Sequence, residues 1–163
     1  MKKLVSIVLS VVLVFAFAGC SGSKVTNEAG EAVSEFALNE TADFDGLKIT
    51  AVNMEETKGK DYFTAGEGNV FVGVEFLIEN TTEEEVNMSS LLMFEAYADD
   101  MSCDYSITGT SAFGGETVDG AVASGKKLQG WYAIEVPEDW KTIEMKVSPD
   151  IMDDKSATFV FNK

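Results

Sequence analysis

Two hydrophobic patterns divide this chain. Leu4 to Ala18 is an almost continuous apolar run, broken only by Ser6 and Ser10. From Glu35 onward the apolar residues recur at every second position instead. The first pattern has no two-residue period and is too short for a membrane span, which needs about 20 apolar residues. The second is the period of half-buried β-strands, in which successive side chains point to opposite faces.

The alternating part predicts about seven strands. Phe36 and Leu38 mark a short one. After an Asp45-Gly46 turn, Leu47, Ile49 and Ala51 share a face. Met54 to Gly68 reads as a glycine-bearing loop with Tyr62 and Phe63 in its middle. Asn69 to Asn80 gives the strongest signal: Val70, Val72, Val74, Phe76 and Ile78 form one unbroken apolar face, opposite a mixed face of Phe71, Gly73, Glu75, Leu77 and Glu79. Five aligned β-branched or aromatic side chains belong in the middle of a sandwich. Leu92, Phe94, Ala96 and Ala98 predict another strand, broken by Asp99-Asp100. Met101 to Ala121 reads as a long excursion, with Tyr105 and Ile107 on a short strand. Leu128, Gly130, Tyr132, Ile134 and Val136 alternate up to Pro137, which cannot donate to a ladder and stops the strand. Ile143, Met145 and Val147 form the next, and Ala157, Phe159 and Phe161 the last. Short strands with turn signals every dozen residues, and no helical period, predict an all-β sandwich.

The N-terminal pattern reads as an address. Lys2 and Lys3 supply a positive start, Leu4 to Ala18 the apolar region, and Ala18-Gly19 the small residues before Cys20. This is secretory-signal architecture. Phe17-Ala18-Gly19-Cys20 reads as a lipoprotein signal-peptidase site, with Phe17 where leucine is usual and Cys20 as the lipid-bearing residue. A diacylglyceryl group on Cys20 would hold the protein to the membrane, since two chains anchor firmly where one does not. Ser21 to Ser34 is small, polar and without period, and reads as a flexible tether of roughly 20 Å reach. The expected division is a signal peptide at 1–19, lipidated Cys20 and tether at 20–34, and the sandwich at 35–163. The expected location is the outer face of the cytoplasmic membrane.

Charge narrows the function classes. The sequence has 28 acidic residues, twelve lysines, no arginine and no histidine. Loss of Lys2 and Lys3 with the signal leaves ten lysines against 28 acids, a charge of −18. Without histidine there is no Ser-His-Asp or Cys-His catalysis and no imidazole metal ligand. Such a charge repels nucleic acid, whose binding rests on neutralising phosphates. A cation, a basic partner or an uncharged partner remains.

Candidate chemistry is sparse. If Cys20 is acylated, Cys103 has no disulfide partner, and Asp99, Asp100 and Asp104 beside it oppose thiolate formation. Asp99, Asp100 and Asp104 in one loop, and Asp150, Asp153 and Asp154 in another, are the candidate calcium ligands, with Asp43 and Asp45 in a third loop. None matches the D-x-[DN]-x-[DN]-G pattern that converges six to eight oxygens. Solvated turns are the alternative. Ser124-Gly-Lys-Lys127 and Ser21-Gly-Ser-Lys24 fit the S-x-x-K pattern but lie in loops, where that serine–lysine chemistry has no helix start to use. Among 28 carboxylates no pair stands out as a glycosidase couple. Tyr62, Phe63, Trp131 and Trp140 sit in loops, turns or less apolar faces. They are the candidate binding surface, because aromatic residues are enriched at interfaces; packing is the alternative.

Two segments, GNVFVGVEFLIENTT (68–82) and SGKKLQGWYAIEVP (124–137), resemble an uncharacterised family of extracytoplasmic domains found in bacterial lipoproteins, mostly Gram-positive. The family strand ends in Asn-Thr or Asn-Ser, here Asn80-Thr81. A later strand runs from a glycine turn to Glu-Val-Pro, here Gly125, Gly130, Glu135, Val136 and Pro137. Ser124 replaces a common proline, and Ile134 a common aromatic. The resemblance implies an immunoglobulin-like β-sandwich and brings no catalytic site or cofactor. The expected function is therefore a membrane-anchored, non-enzymatic domain that binds an unknown protein or cell-envelope partner. A calcium-responsive surface module and a carboxylate enzyme are the alternatives.

Overall fold

The computed structural model describes residues 25–150 and 152–163. Phe17, Ala18, Gly19 and Cys20 lie outside the described residues. In chain order the elements are β1 (Glu35–Phe36), β2 (Thr41–Phe44), β3 (Leu47–Thr57), β4 (Gly59–Lys60), β5 (Phe63–Thr64), β6 (Asn69–Asn80), β7 (Val86–Met88), α1 (Ser90–Met93), β8 (Phe94–Ala98), β9 (Met101–Cys103), α2 (Ile107–Ala112), β10 (Gly120–Val122), β11 (Lys127–Pro137), β12 (Thr142–Val147) and β13 (Ala157–Asn162).

Two sheets face each other. One is antiparallel, in the order β11-β6-β3-β2; the other runs β1-β13-β12-β8-β9, with only β1 and β13 parallel. The apolar face of β6 lies between them, as its alternation requires. Val72, Val74, Phe76 and Ile78 are fully buried. Phe76 packs edge-on against Phe94 and Phe159, each 5.3 Å between ring centres, and so joins the two sheets. Tyr132, directly opposite Val74 on β11, stacks on Phe94 at 5.1 Å. The all-β sandwich expected from the period-two pattern is the fold. No described helix is long and apolar enough to cross a membrane.

The outer face of β6 is also buried at Phe71 and Gly73, which its mixed sequence did not suggest, while Glu75, Leu77 and Glu79 further along it stay half-buried. Helix α2 lies across it, capped by Ser106, whose Oγ accepts the Gly109 N–H at 2.9 Å. Three glycines allow the close approach of α2 and the segment that follows it. A Cβ on Gly73 would stand 2.5 Å from the Phe113 ring, one on Gly109 3.0 Å from Phe71, and one on Gly130 2.2 Å from the Thr117 carbonyl. Phe113 then stacks on Trp131 at 4.9 Å and 14°. Phe71 and Ala133 end up with no exposed surface.

Three local expectations fail for identifiable reasons. Leu92 lies in α1 and is 70% exposed, because Ser90–Met93 coils before β8 begins. Ile107 opens α2 instead of sharing a strand with Tyr105. Residues 25–34, read as tether, are folded onto the sandwich. Val25 is buried in the core, and Thr26 exchanges backbone hydrogen bonds with Asp43 at 3.1 and 2.8 Å. Asn27 closes the intervening turn by accepting the Ala29 and Glu31 amides. Composition alone hid this, since two separated apolar residues, Val25 and the half-buried Val33, carry the docking.

Candidate functional site

The open side of the sandwich is built by a turn and a proline. Ala98 and Met101 pair across Asp99-Asp100, both at positive φ (48° and 67°). Left-handed pairs of this kind make the tightest hairpin connections, and aspartate tolerates them. The Asp99 carboxylate accepts the backbone N–H groups of Lys141 and Thr142, all at 2.9–3.1 Å. The Asp99 amide bonds the Thr142 carbonyl at 2.9 Å. That pairing fixes the alternation: Ala98 turns its backbone to β9, and Ser102, one residue past Met101, turns its own outward.

The facing edge belongs to β11. Tyr105 bridges Ile134, and the Ser106 N–H bonds the Ala133 carbonyl at 2.7 Å. Continuing that pairing would set Pro137 against Ser102, and proline has no N–H to give. The two edges therefore separate beyond Tyr105. A groove of about 580 Å³ lies between them, lined by Met101, Ser102, Cys103, Asp104, Glu135 and Pro137. That volume lies within the range of ligand pockets, about 300–1,000 Å³. A second hollow of about 350 Å³ shares Ser102 to Tyr105 and reaches Leu91 and Tyr132. Met101 is 72% exposed at the first and Leu91 72% at the second.

The chemistry of the groove is quiet. Burial pushes the half-buried Cys103 thiol up, and the Asp104 carboxylate adds to it. Its Sγ donates to the Met101 carbonyl at 3.4 Å. Burial pushes the Tyr132 phenol up to about 12. Neither group is prepared to act as a nucleophile or base near neutral pH.

The candidate aromatic surface splits in two. Tyr62, 97% exposed, and Phe63 stand on the hairpin of β4 and β5. Trp131 is buried beneath Phe113. Trp140 is buried as well: its Nε1 donates to Glu56 at 2.8 Å, and the Lys163 ammonium lies 5.0 Å from the ring centre. Both tryptophans are thus core residues, not surface ones. Lys163 also donates to Glu56 at 2.9 Å, and the lysine is the main reason the Glu56 carboxyl is held below its ordinary value.

The aspartates are not gathered. Asp99 is occupied with backbone amides. Asp150 accepts the Met152 N–H at 2.8 Å, and Asp153 pairs with Lys155 at 3.4 Å. Lys155 also pairs with Asp45. Among the described residues no group of three or more Cys, Asp or Glu side chains is arranged to hold a metal ion. Asp100, Asp104 and Asp154 share no common centre with the others. The groove itself escaped the sequence reading. Its signal was available: two aspartates in a tight turn, a three-residue strand, and a proline opposite it, read only as a strand stop.

Solved structures share this fold. The lipoprotein candidate ycdA of Bacillus subtilis matches with a TM-score of 0.62 and 17% identity, over 75% of this chain. This chain spans only 38% of that one. The yjhA protein of B. subtilis matches with a TM-score of 0.60 and 17% identity, over 76% of this chain and 97% of that one. An uncharacterised β-sandwich protein of Clostridium difficile 630 matches with a TM-score of 0.52 and 21% identity, over 79% and 93%. Comparison with curated proteins gives no match. The model of the family described as "Domain of unknown function (DUF4352)" matches residues 36–158, from β1 into β13, and the chain belongs to that family.

Proposed function

We propose that this protein is a lipid-anchored binding protein of the cell envelope, working without catalysis. Its anchor is a diacylglyceryl group on Cys20, and its binding face is the groove between β9 and β11. The anchoring half is supported by the Lys2-Lys3, Leu4–Ala18, Gly19-Cys20 order, and a lipoprotein candidate among proteins of like fold is consistent with it. The binding half rests on one observation. Pro137 keeps the two edge strands apart, which leaves a hollow with an outward-facing Ser102 backbone and exposed Met101 at its rim. Edges of this kind are where extended segments of other chains attach. The absence of an activated group in the groove favours binding over turnover.

A photo-crosslinking residue placed at Met101 in living cells tests this. The expected result is a discrete adduct, absent when the same residue replaces Lys146 on the sheet face. Equal labelling at both positions, or none at Met101, contradicts the groove as the binding face.

A further inference from the structure

The length of chain between Cys20 and the first core residue limits how the domain meets the membrane. Val25 is buried in the core. Thr26 is paired antiparallel with Asp43, so Val25 lies on the Asp45-Gly46 side of Thr26. Only five residue steps separate Cys20 from Val25, a span of at most about 18 Å however the backbone runs.

The same end carries the Thr81–Glu85 turn, whose Thr81 N–H bonds the Gly46 carbonyl at 2.8 Å, and the Ser124-Gly125 turn, whose Gly125 N–H bonds the Asn80 carbonyl at 2.8 Å. Strand β6 runs from this end to the other. Its twelve residues cover about 35 Å. At the far end Asn69 is opposite Pro137, and the groove and the Tyr62 hairpin are there.

Charge decides between standing and lying down. Nine lysines against 28 acids in residues 25–163 leave the folded part strongly anionic. A bacterial or model bilayer rich in anionic lipid repels such a surface, over a screening length of about 8 Å at physiological salt. A domain on its side brings most of its carboxylates within that distance. An end-on domain brings only those of the anchored end.

We infer that the domain stands end-on at the bilayer, with the Asp45-Gly46 end toward the lipid and the groove and Tyr62 hairpin presented away from it. The partner therefore approaches from the side opposite the membrane and is not the bilayer itself. This rests on the reading of Cys20 as the anchor.

The test uses the full-length lipidated protein on vesicles of phosphatidylcholine and phosphatidylglycerol that carry a headgroup quencher. With Cys103→Ser, single cysteines at Glu84→Cys and Tyr62→Cys take a fluorophore. Strong loss of fluorescence at position 84, with none at 62 beyond that of the unanchored protein, is the expected result. Inserting a long Gly-Ser segment between Ser23 and Lys24 is expected to weaken the loss at 84. Equal quenching at the two sites, or more at 62, overturns the orientation. Protein that fails to float with the vesicles overturns the anchor reading, and the inference with it.

Discussion

Asn80→Ala is expected to be the most damaging polar-to-alanine change in the sandwich. Asn80 is almost fully buried where β6 ends. Its Nδ2 donates to the Glu84 carbonyl at 2.7 Å and to the Val122 carbonyl at 2.8 Å. Its Oδ1 lies 2.9 Å from the Thr82 N–H and 2.7 Å from the Thr82 hydroxyl, accepting from both. One amide thus fastens the acidic turn to β6 and both to β10. A lost hydrogen bond costs about 1 kcal/mol net, and a buried group left unpaired about 1–3 kcal/mol. Three of the four contacts are part-exposed and can be taken over by water, while that to Val122 is buried. The sum is about 4 kcal/mol, well above the roughly 1 kcal/mol of an ordinary substitution. For a domain of this size that lowers Tm by roughly 10–15 °C. Urea unfolding of the soluble domain measures it as a fall in the midpoint at constant slope. Asn80→Asp is expected to do no better, because a carboxylate cannot donate to the two carbonyls. A loss below about 1 kcal/mol for Asn80→Ala would show that the turn is held by something else.

Gly73→Ala drives a methyl into the Phe113 ring and is expected to cost about 1–3 kcal/mol and lift α2; Trp131 fluorescence should shift to the red, and an unshifted spectrum refutes the close approach. Calcium at millimolar concentration is expected to leave Tm unchanged, since the aspartates are spread over separate turns; a rise would show a site formed from them. Glu56 has a folded pKa below its unfolded value, so its ionised form stabilises the fold above the unfolded value, and this contribution is lost as pH falls through the folded one. Acid titration of Trp140 emission, with Trp131 replaced by phenylalanine, should therefore show its transition below the ordinary carboxylate value of 4.5; a transition above it contradicts the Lys163–Glu56 pairing.

The core strands were legible because a fully buried face writes itself as a strict alternation. Val70 to Ile78 needed no partner to be recognised. The burial of Trp131 was not legible, because it depends on Gly73, which the alternation places only on a mixed face, admitting the Phe113 ring that follows α2. Trp140 was misread for a similar reason: its indole partner, Glu56, is 84 positions distant. The docking of residues 25–34 rests on Val25 and the half-buried Val33, too far apart in a polar stretch to produce a period. Asn80-Thr81 was visible as a motif, yet its role appears only once Val122 is brought beside it. The groove combined both kinds of information. The Asp99-Asp100 turn and Pro137 are local signals, but their opposition across two sheets is not.

In the function proposed above, a lipid on Cys20 holds the sandwich at the membrane. Growth of a producing bacterium with labelled fatty acid, followed by intact mass measurement of the purified protein, tests it directly. Label in the protein, loss of residues 1–19 and a diacylglyceryl mass on Cys20 are expected, with both label and membrane retention abolished in Cys20→Ala. An unlabelled protein, or a Cys20→Ala variant that keeps its label and its membrane fraction, would contradict it.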